Sequence, residues 1–455
     1  MKEKCVGDVS RDSCIRCIEL GRECTRKRPI QKAGRKPRQP VLLDPCTRMP
    51  KERDGALAET ERLRKEKAPS AQLVLQWKAD SPTPFEEQLL RMLQSEQSDE
   101  LKKFARLLVI GPNFEEKLSN EIRAMANWEF EGSLDGYLAC MGALALNLGI
   151  MPGGDAESNI RRGALAVSKL RTAPGPKFEE LENWIVFGLA IVTFAMTALG
   201  TPASTVRRHV LKDVASLTSI PDHLQNSDSL MCLVAFETWE CLMKRSIPVL
   251  RLEMTEKSHV SRLFGISGGI FPYLYDICEL SHTLAVGNEN ERKIILTSLE
   301  KVEEEVELWQ PATPQDLIVR FSTVEIVHML CQAEVHKVST LLFIHRLRWP
   351  FGVEDGLARR MARKITNELE RSYLITHDRV RCVSFPFFIA GIEAQGKEER
   401  DCVLALVKDY IDPTTPIIQE QIKRLLSSIW QIRDVSTGYH WLDLLSHLPE
   451  AIIPT

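Results

Sequence analysis

Four cysteines near the start of the chain carry the chemistry of a metal site. They lie within 24 residues, whereas the other 431 residues contain eight cysteines, and they are Cys5, Cys14, Cys17 and Cys24. Structural zinc sites are tetrahedral and prefer thiolate ligands, and a C-x2-C pair such as Cys14 and Cys17 can bind one metal from a single turn. We therefore predict a structural zinc site. The alternative, a disulfide framework, requires an oxidising compartment, and the N-terminal residues contain no apolar signal segment.

Basic residues directly behind the cysteines indicate a polyanionic partner. Residues 1–38 hold twelve Lys and Arg against five Asp and Glu, a net charge of +7, and because the whole chain carries −3, residues 39–455 carry about −10. Such asymmetry is typical of a nucleic-acid-binding arm, whose phosphate contacts are independent of base sequence and weaken with salt. One acid-free run also fits a nuclear-localisation patch; it comprises Arg26, Lys27, Arg28, Lys32, Arg35, Lys36 and Arg38. A solvated charged linker is the alternative.

Residues 13–38 resemble the second half of the fungal C6-type binuclear zinc cluster. In that family two C-x2-C-x6-C halves flank a loop, and six thiolates bind two zinc ions. In this register Cys5 matches the third cysteine, Cys14 the bridging fourth, and Cys17 and Cys24 the fifth and sixth. The resemblance implies Zn²⁺ as cofactor, double-stranded DNA as partner, and DNA contacts from the basic residues of the cluster: Lys2, Lys4, Arg16, Arg22, Arg26, Lys27 and Arg28.

The first two cysteines of that family have no counterpart in this sequence. An intact cluster would hold two zinc ions, whereas four cysteines would rearrange around one zinc or bind none. Two explanations stay open: the natural chain begins upstream of Met1, which we expect, or the protein lacks a working cluster. The first explanation predicts a DNA-binding regulator. The second predicts an interaction protein that keeps the rest of the chain and has lost DNA binding.

Helical periodicity dominates the rest of the chain, so the predicted fold class is all-α. We divide the chain into a partial zinc cluster over residues 1–30, a basic, proline-containing and largely disordered linker over 31–82, and an all-helical domain over 83–455. Alternating β patterns with hairpin turns are nearly missing from the helical part. No sustained heptad follows the cluster, so a dimerising coiled coil is only weakly supported.

Several helices can be placed individually. Thr83-Pro84-Phe85-Glu86 has the pattern of a capping box with proline at the first helical position, and Thr-Pro pairs at Thr313 and Thr415 predict two further helix starts. A periodic run near residues 315–347 predicts one long helix. The uncharged stretches 137–151 and 184–200 predict two buried helices that pack side by side. The second stretch has 17 residues, at the lower limit for a membrane span, and a membrane partner is not expected.

The helical part resembles, more loosely, the fungal-specific transcription factor domain. The phrase SFPFFIAGIEA over residues 384–394 is followed by Arg400 and closed by Trp430 and Trp441, as at the end of that domain. From the residues alone, positions 385–389 are an apolar edge restrained by proline. The resemblance implies a nuclear transcriptional regulator of the RNA polymerase II type, a homodimer, and a small-molecule effector or coregulator bound to the helical domain.

We expect no enzyme activity. Residues 265–269 satisfy G-x-S-x-G, but a nucleophile elbow needs a preceding strand, and the sequence here predicts a flexible interhelical loop. Glu256 with His259, and Glu325 with His328, have the Glu-x-x-His spacing of di-iron helices, which also need two further Glu. A lone histidine near a helix interior is more often a satisfied core or surface residue. The sequence contains no P-loop or dinucleotide fingerprint.

Overall fold

A computed structural model describes residues 83–94, 99–149, 155–217, 220–253, 259–435, 438, 440 and 442–443. All of them belong to one unit of the chain. The predicted zinc ligands, the basic arm and the linker lie outside the described residues. The metal site and the domain boundaries that depend on those residues therefore stay predictions.

The described residues contain seventeen α-helices and no β-strand beyond a single bridge between Ser261 and Gly265. The helices are α1 (Pro84–Gln94), α2 (Asp99–Leu107), α3 (Glu115–Ala126), α4 (Ser133–Leu148), α5 (Ala156–Thr172), α6 (Leu181–Leu199), α7 (Ser204–Ala215), α8 (Asp222–Gln225), α9 (Asp228–Lys244), α10 (Phe271–Val286), α11 (Glu289–Leu308), α12 (Leu317–Arg320), α13 (Thr323–Arg348), α14 (Asp355–Thr376), α15 (Ser384–Ile392), α16 (Gly396–Tyr410) and α17 (Pro416–Val435). The predicted all-α fold is confirmed.

Side-chain caps explain where helices begin. At α1 the predicted capping box is present, since Thr83 Oγ1 accepts from Glu86 N at 3.2 Å and Glu86 Oε2 accepts from Thr83 N at 2.7 Å. The predicted start at Thr313 is wrong, because no helix begins there. The long helix starts instead after Ser322, whose hydroxyl accepts from Glu325 N at 3.3 Å while Glu325 accepts from Ser322 N at 2.9 Å. This cap divides the predicted single helix into α12 and α13.

The apolar phrase at residues 384–392 forms α15, so the prediction of an apolar edge is wrong. Helices α13, α14, α16 and α17 surround α15 and bury all of its residues. A helix satisfies its backbone hydrogen bonds internally, and the one polar side chain of α15, Ser384, donates to the Tyr410 carbonyl oxygen at 3.2 Å, so the segment can be buried on every side. Trp430 Nε1 donates to the Gly391 carbonyl oxygen at 3.0 Å, and the Arg400 guanidinium lies 5.4 Å from the Trp430 ring. Trp441 lies outside the described residues.

A buried ion network joins the helices around α15. Arg346 on α13 is 1% exposed and donates to both carboxylate oxygens of Glu393, at 2.7 and 2.6 Å. It also donates to Asp355 at the start of α14, at 2.8 Å. The guanidinium groups of Arg346 and of Arg433 on α17 lie 4.9 and 4.5 Å from the ring of Phe351. Buried charges of this kind are tolerated because they are paired and hydrogen-bonded.

Two hydrophobic cores fill the described helices. The smaller core is built mainly by α1 to α4 and the larger one mainly by α5 to α17, while α6 and α13 contribute to both. The predicted packing of α4 beside α6 is confirmed. A methyl group added at Gly136 on α4 would lie 2.6 Å from Phe187 on α6, and Asn147 Nδ2 donates to the Thr197 carbonyl oxygen at 2.9 Å.

One helical stretch in the described part of the chain, Phe178–Leu199, is long and apolar enough to cross a membrane by length and composition. In this structure 67% of its most apolar window is buried inside the protein. The helix α6 contributes to both hydrophobic cores, which agrees with the predicted role as a core helix.

Candidate functional site

A cavity of about 400 Å³ lies where the two cores meet. Its walls come from α3, α4, α6, α9 and the turn before α10, and its rim comes from the segment before α15 and the loop between α16 and α17. Apolar side chains form most of the wall, among them Leu118, Ile122, Met125, Met141, Leu144, Val186, Met196, Phe236, Phe264 and Val380. A concave, mostly apolar cavity of this size is typical of sites for drug-sized molecules.

Three hydrogen-bond donors in the cavity wall have no partner within the protein. They are the phenol of Tyr137 on α4, the hydroxyl of Thr197 on α6 and the indole nitrogen of Trp239 on α9, whose residues are 0%, 1% and 1% exposed. Buried polar groups are nearly always paired, and an unpaired one costs about 1–3 kcal/mol of stability. Burial raises the pKa of Tyr137, so its phenol keeps the proton that it can donate.

Aromatic neighbours fix the orientation of Trp239. Its ring is parallel to those of His336 and Phe385, with centroid distances of 6.1 and 5.6 Å, and it meets the Phe264 ring edge-on at 5.8 Å. His336 Nε2 donates to the Cys382 carbonyl oxygen at 3.1 Å. Burial lowers the pKa of His336 to about 4, with partial opposition from this hydrogen bond, so the imidazole is neutral at physiological pH. The Trp239 donor therefore has a defined direction before any ligand binds.

The charges in the inner wall are paired. Arg262 is buried and forms an ion pair with Glu121. Beside it, Asp228 accepts from Lys117 Nζ at 2.9 Å and from the Arg262 backbone N at 3.0 Å. Burial alone would raise the pKa of Asp228, but the neighbouring His259, 3.6 Å away, and the nearby Arg262 and Lys117 hold it below its usual range. This polar cluster supports the wall and leaves no excess charge there.

Charges of both signs occur in equal number along the whole lining. The acidic residues are Glu121, Asp378, Asp409 and Asp412, and the basic residues are Arg262, Arg379, Arg381 and Lys408. At the rim, Arg379 lies 3.1 Å from Asp409 and donates to the Tyr410 hydroxyl at 2.8 Å. The formal charges of the lining residues therefore sum to zero.

Three thiols also line the cavity, and none has the properties of a reactive cysteine. Burial raises the pKa of Cys140 and of Cys382 to about 12, and it raises that of Cys232 as well. The thiolate is the form that acts as a nucleophile or a metal ligand. At neutral pH these side chains therefore serve as small apolar groups in the wall.

The G-x-S-x-G segment at residues 265–269 contains a buried serine. The Ser267 hydroxyl donates to the Phe264 carbonyl oxygen. The predicted interhelical loop contains a short 3-10 helix, Gly268–Ile270, that leads into α10, and the turn before it is closed by backbone hydrogen bonds between Ser261 and Gly265 at 2.8 and 2.9 Å. Gly265 has a φ of 53°, a left-handed conformation that favours glycine.

Glu325 and His328 have structural partners on neighbouring segments. Glu325 accepts from Asn113 Nδ2 at 2.8 Å, and His328 Nε2 lies 3.1 Å from the Thr376 hydroxyl. The prediction of a satisfied core histidine is confirmed for His328. Glu256 of the other pair lies outside the described residues. Within the ranges that the structure describes, no group of three His, Cys, Asp or Glu side chains is arranged to hold a metal ion.

Comparison with protein families gives one match. Residues 211–451 match the family model described as the fungal specific transcription factor domain. The chain belongs to this family. It is thereby assigned to the transcriptional regulators, a nuclear and non-enzymatic class of proteins. No curated protein and no solved structure matches the chain at a significant level.

The match begins within α7, so the cavity is shared between matched and unmatched parts of the fungal-specific transcription factor chain. Helices α3, α4 and α6 precede residue 211, whereas α9 and the rim segments follow it. Sequence reasoning placed α4 beside α6 but missed the cavity next to them. The sequence feature that could have indicated the cavity is the presence of the polar residues Tyr137 and Thr197 within uncharged stretches.

Proposed function

We propose that this chain is a zinc-dependent, sequence-specific DNA-binding regulator of RNA polymerase II transcription, with a C-terminal helical domain that receives the regulatory signal. The family match over residues 211–451 carries the proposal. The four cysteines at cluster spacing and the net charge of +7 over residues 1–38 add to it. The expected location is the nucleus, the expected partner is double-stranded DNA, and a homodimer would place two arms on two half-sites.

Zinc has a structural role in this proposal. Its ligands are Cys5, Cys14, Cys17 and Cys24, in a segment of about 30 residues that is too short for a hydrophobic core of its own, so metal binding supplies its folding energy. The basic residues then contact phosphates, which gives an affinity that falls with salt, while base contacts select the site. The helical domain offers a cavity to a small-molecule effector or a surface to a coregulator.

The second candidate is an interaction protein with the same helical domain and no DNA binding. It requires only the helical domain, to which the family match over residues 211–451 belongs. Both candidates leave the helical domain as the regulatory part of the chain.

Zinc stoichiometry and DNA binding of the 455-residue chain distinguish the two candidates. Native mass spectrometry with and without a chelator counts bound zinc. Fluorescence anisotropy measures the affinity for a random-sequence duplex between about 50 and about 200 mM salt. We expect at least one zinc ion that the chelator removes, together with weak and steeply salt-dependent DNA binding.

Matched variants assign these effects to the cluster. The double variant Cys14→Ser, Cys17→Ser should lose zinc and bind DNA more weakly, whereas Cys46→Ser should change neither property. Replacing Lys32 and Lys36 by Gln should flatten the slope of log affinity against log salt by about two, at roughly 0.9 for each phosphate contact. A chain that holds no zinc and does not bind DNA at low salt would reject the DNA-binding candidate in favour of the interaction protein.

A further inference from the structure

We propose that the cavity between the two cores binds an uncharged, elongated and largely apolar small molecule with hydrogen-bond acceptor atoms near both of its ends. Tyr137, Thr197 and Trp239 would recognise those acceptors. The binding event itself is independent of DNA. Its role as the effector of a transcriptional regulator rests on the proposed function.

The first argument is the unpaired donors. Tyr137, Thr197 and Trp239 all line one cavity, the donor groups of these side chains are buried, and none of the three groups has a partner in the protein. The indole of Trp239 can only donate, and the two hydroxyl groups can donate as well. A molecule that presents acceptors would pair with all three groups. A molecule that presents donors alone could not pair with Trp239.

The second argument concerns the shape of the ligand. Helices α4 and α6 run in parallel, since Gly136 lies against Phe187 near their starts and Asn147 bonds to Thr197 near their ends. The backbone positions of Tyr137 and Thr197 are therefore separated along the helix axis by the distance from position 137 to position 147 of α4, about three helical turns or roughly 15 Å. Apolar side chains fill the wall between them. A molecule that reaches both donors must be long and must be apolar in its middle.

The third argument concerns charge. The inner wall holds the Arg262–Glu121 pair, and the complete lining has four acidic and four basic residues. An anion would have to compete with Glu121 for Arg262 or with Asp409 for Arg379. A cation would have to compete with Arg262 for Glu121 or with Arg379 for Asp409. An uncharged molecule leaves both of these pairs intact, and buried charges that lose their partners are strongly unfavourable.

Water molecules are the competing occupant of the cavity. A water needs two to four polar partners, and apolar side chains form most of the wall. A water at each donor would find few further hydrogen bonds to the wall. A ligand instead satisfies the donors and also removes the apolar surface from water.

The test uses Nile Red, an uncharged and elongated dye that has a carbonyl and ring-nitrogen acceptors and no donors. The full chain is titrated with the dye in the absence of DNA, and its emission reports transfer to an apolar site. We expect saturable binding of one dye per chain. Tyr137→Phe, Thr197→Val and Trp239→Phe should each weaken binding roughly fivefold, as expected for loss of one neutral hydrogen bond. Ser281→Ala is the matched control, because Ser281 is a buried and unpaired hydroxyl that does not line the cavity.

Thermal melting of the free variants separates recognition from a structural role. Tyr137→Phe removes an unpaired buried group, so the free variant should melt no lower than the parent chain while it binds the dye more weakly. Ser281→Ala should behave similarly in melting and should bind the dye as tightly as the parent. Equal dye affinity for all four variants and the parent, or loss of affinity only in variants that melt lower, would overturn the assignment of the three donors.

Displacement of the dye tests the charge of the ligand. Dodecanoate and its methyl ester share a chain and an acceptor group and differ in charge. The ester should displace Nile Red at a concentration at least tenfold lower. Better displacement by the anion would reject the uncharged class. Because no DNA is present, failure of DNA binding by the arm and failure of dye binding by the cavity are observed separately.

Discussion

Trp239 and Trp430 are buried almost equally, at 1% and 3% exposure, but their indole nitrogens differ completely in partnership. Trp430 Nε1 donates to the Gly391 carbonyl oxygen at 3.0 Å, whereas Trp239 Nε1 has no partner in the protein. The polar groups around the two indoles differ in the same way. Around Trp430, the charges of Arg346 and Glu393 are fully hydrogen-bonded, and around Trp239 the cavity also contains the unpaired Tyr137 and Thr197. Unpaired buried groups such as the Ser281 hydroxyl also occur elsewhere in the described helices, but Tyr137, Thr197 and Trp239 are three that line the same cavity.

The largest expected effect comes from creating an unpaired charge in the paired region. Glu393→Gln removes the carboxylate that holds Arg346, so the buried guanidinium loses its main counter-charge. We expect the free energy of unfolding to fall by about 3 kcal/mol, as is typical when one member of a buried pair is removed. Urea denaturation followed by tryptophan fluorescence measures this loss.

A partly exposed carboxylate supplies the control for that variant. Glu399 accepts from Arg359 at 2.7 Å and from Arg363 at 2.6 Å with a third of its side chain exposed, and Glu399→Gln should cost less than about 1 kcal/mol. If both variants lost the same small amount, the polar network around α15 would not be the tightly paired region described above, and the contrast with the cavity would fail.

Lowering the pH should have an intermediate effect on the free energy of unfolding. The residue responsible is His336 on α13, the helix that also carries Arg346. His336 stacks against Trp239 and has a pKa of about 4 in the folded chain, below its ordinary value of 6.5. Between these pH values His336 binds a proton in the unfolded chain but not in the folded chain. The contribution of His336 to the free energy of unfolding is therefore complete above pH 6.5 and is lost as the pH falls toward 4. Between pH 7 and pH 5 the loss is about 2 kcal/mol.

The variant His336→Phe isolates this contribution, because it keeps an aromatic ring beside Trp239 and cannot be protonated. Its unfolding free energy should change less than that of the parent chain between pH 7 and pH 5, although its value at pH 7 will differ. Buried carboxylates such as Glu86, whose pKa is lowered to about 2, act mainly below this window. Identical pH profiles for parent and variant would mean that the imidazole is more accessible to protons than the stacking implies.

The smallest effect is the most direct comparison of the two indoles. Trp239→Phe and Trp430→Phe remove the same atoms, but only the second breaks a hydrogen bond. We expect Trp430→Phe to lower the unfolding free energy of the ligand-free chain by about 1 kcal/mol more than Trp239→Phe. Chemical denaturation of both variants at one pH measures the difference. A larger loss at Trp239 would contradict its unpaired state.

Local signals made much of the helical pattern predictable. The Thr83–Glu86 capping box marked the start of α1, and uncharged stretches identified α4 and α6 as neighbours in the core. The prediction failed where local signals were weak. The phrase that forms α15 has a polar residue only at its first position, Ser384, which cannot set a helical period, and the Ser322 cap lies within a long periodic run that predicted one continuous helix.

The cavity could not be predicted in the same way, because an unpaired donor is a property of three-dimensional surroundings. Tyr137, Thr197 and Trp239 lie on three helices and are separated by at least 40 residues in the chain. A tyrosine or threonine in an apolar stretch is usually paired once the chain folds. The exception becomes visible only when every neighbouring acceptor has been placed.

The division of the cavity wall at residue 211 has a consequence for how such a regulator diversifies. Two of the three donors, Tyr137 and Thr197, belong to helices that precede the family match, and Trp239 belongs to the matched part. Substitutions in α4 and α6 can therefore alter which molecule is recognised while the matched helices keep their packing around α15. A fragment cut at the family boundary would, for the same reason, be an unsound reagent for screening ligands, since it would carry only one side of the cavity.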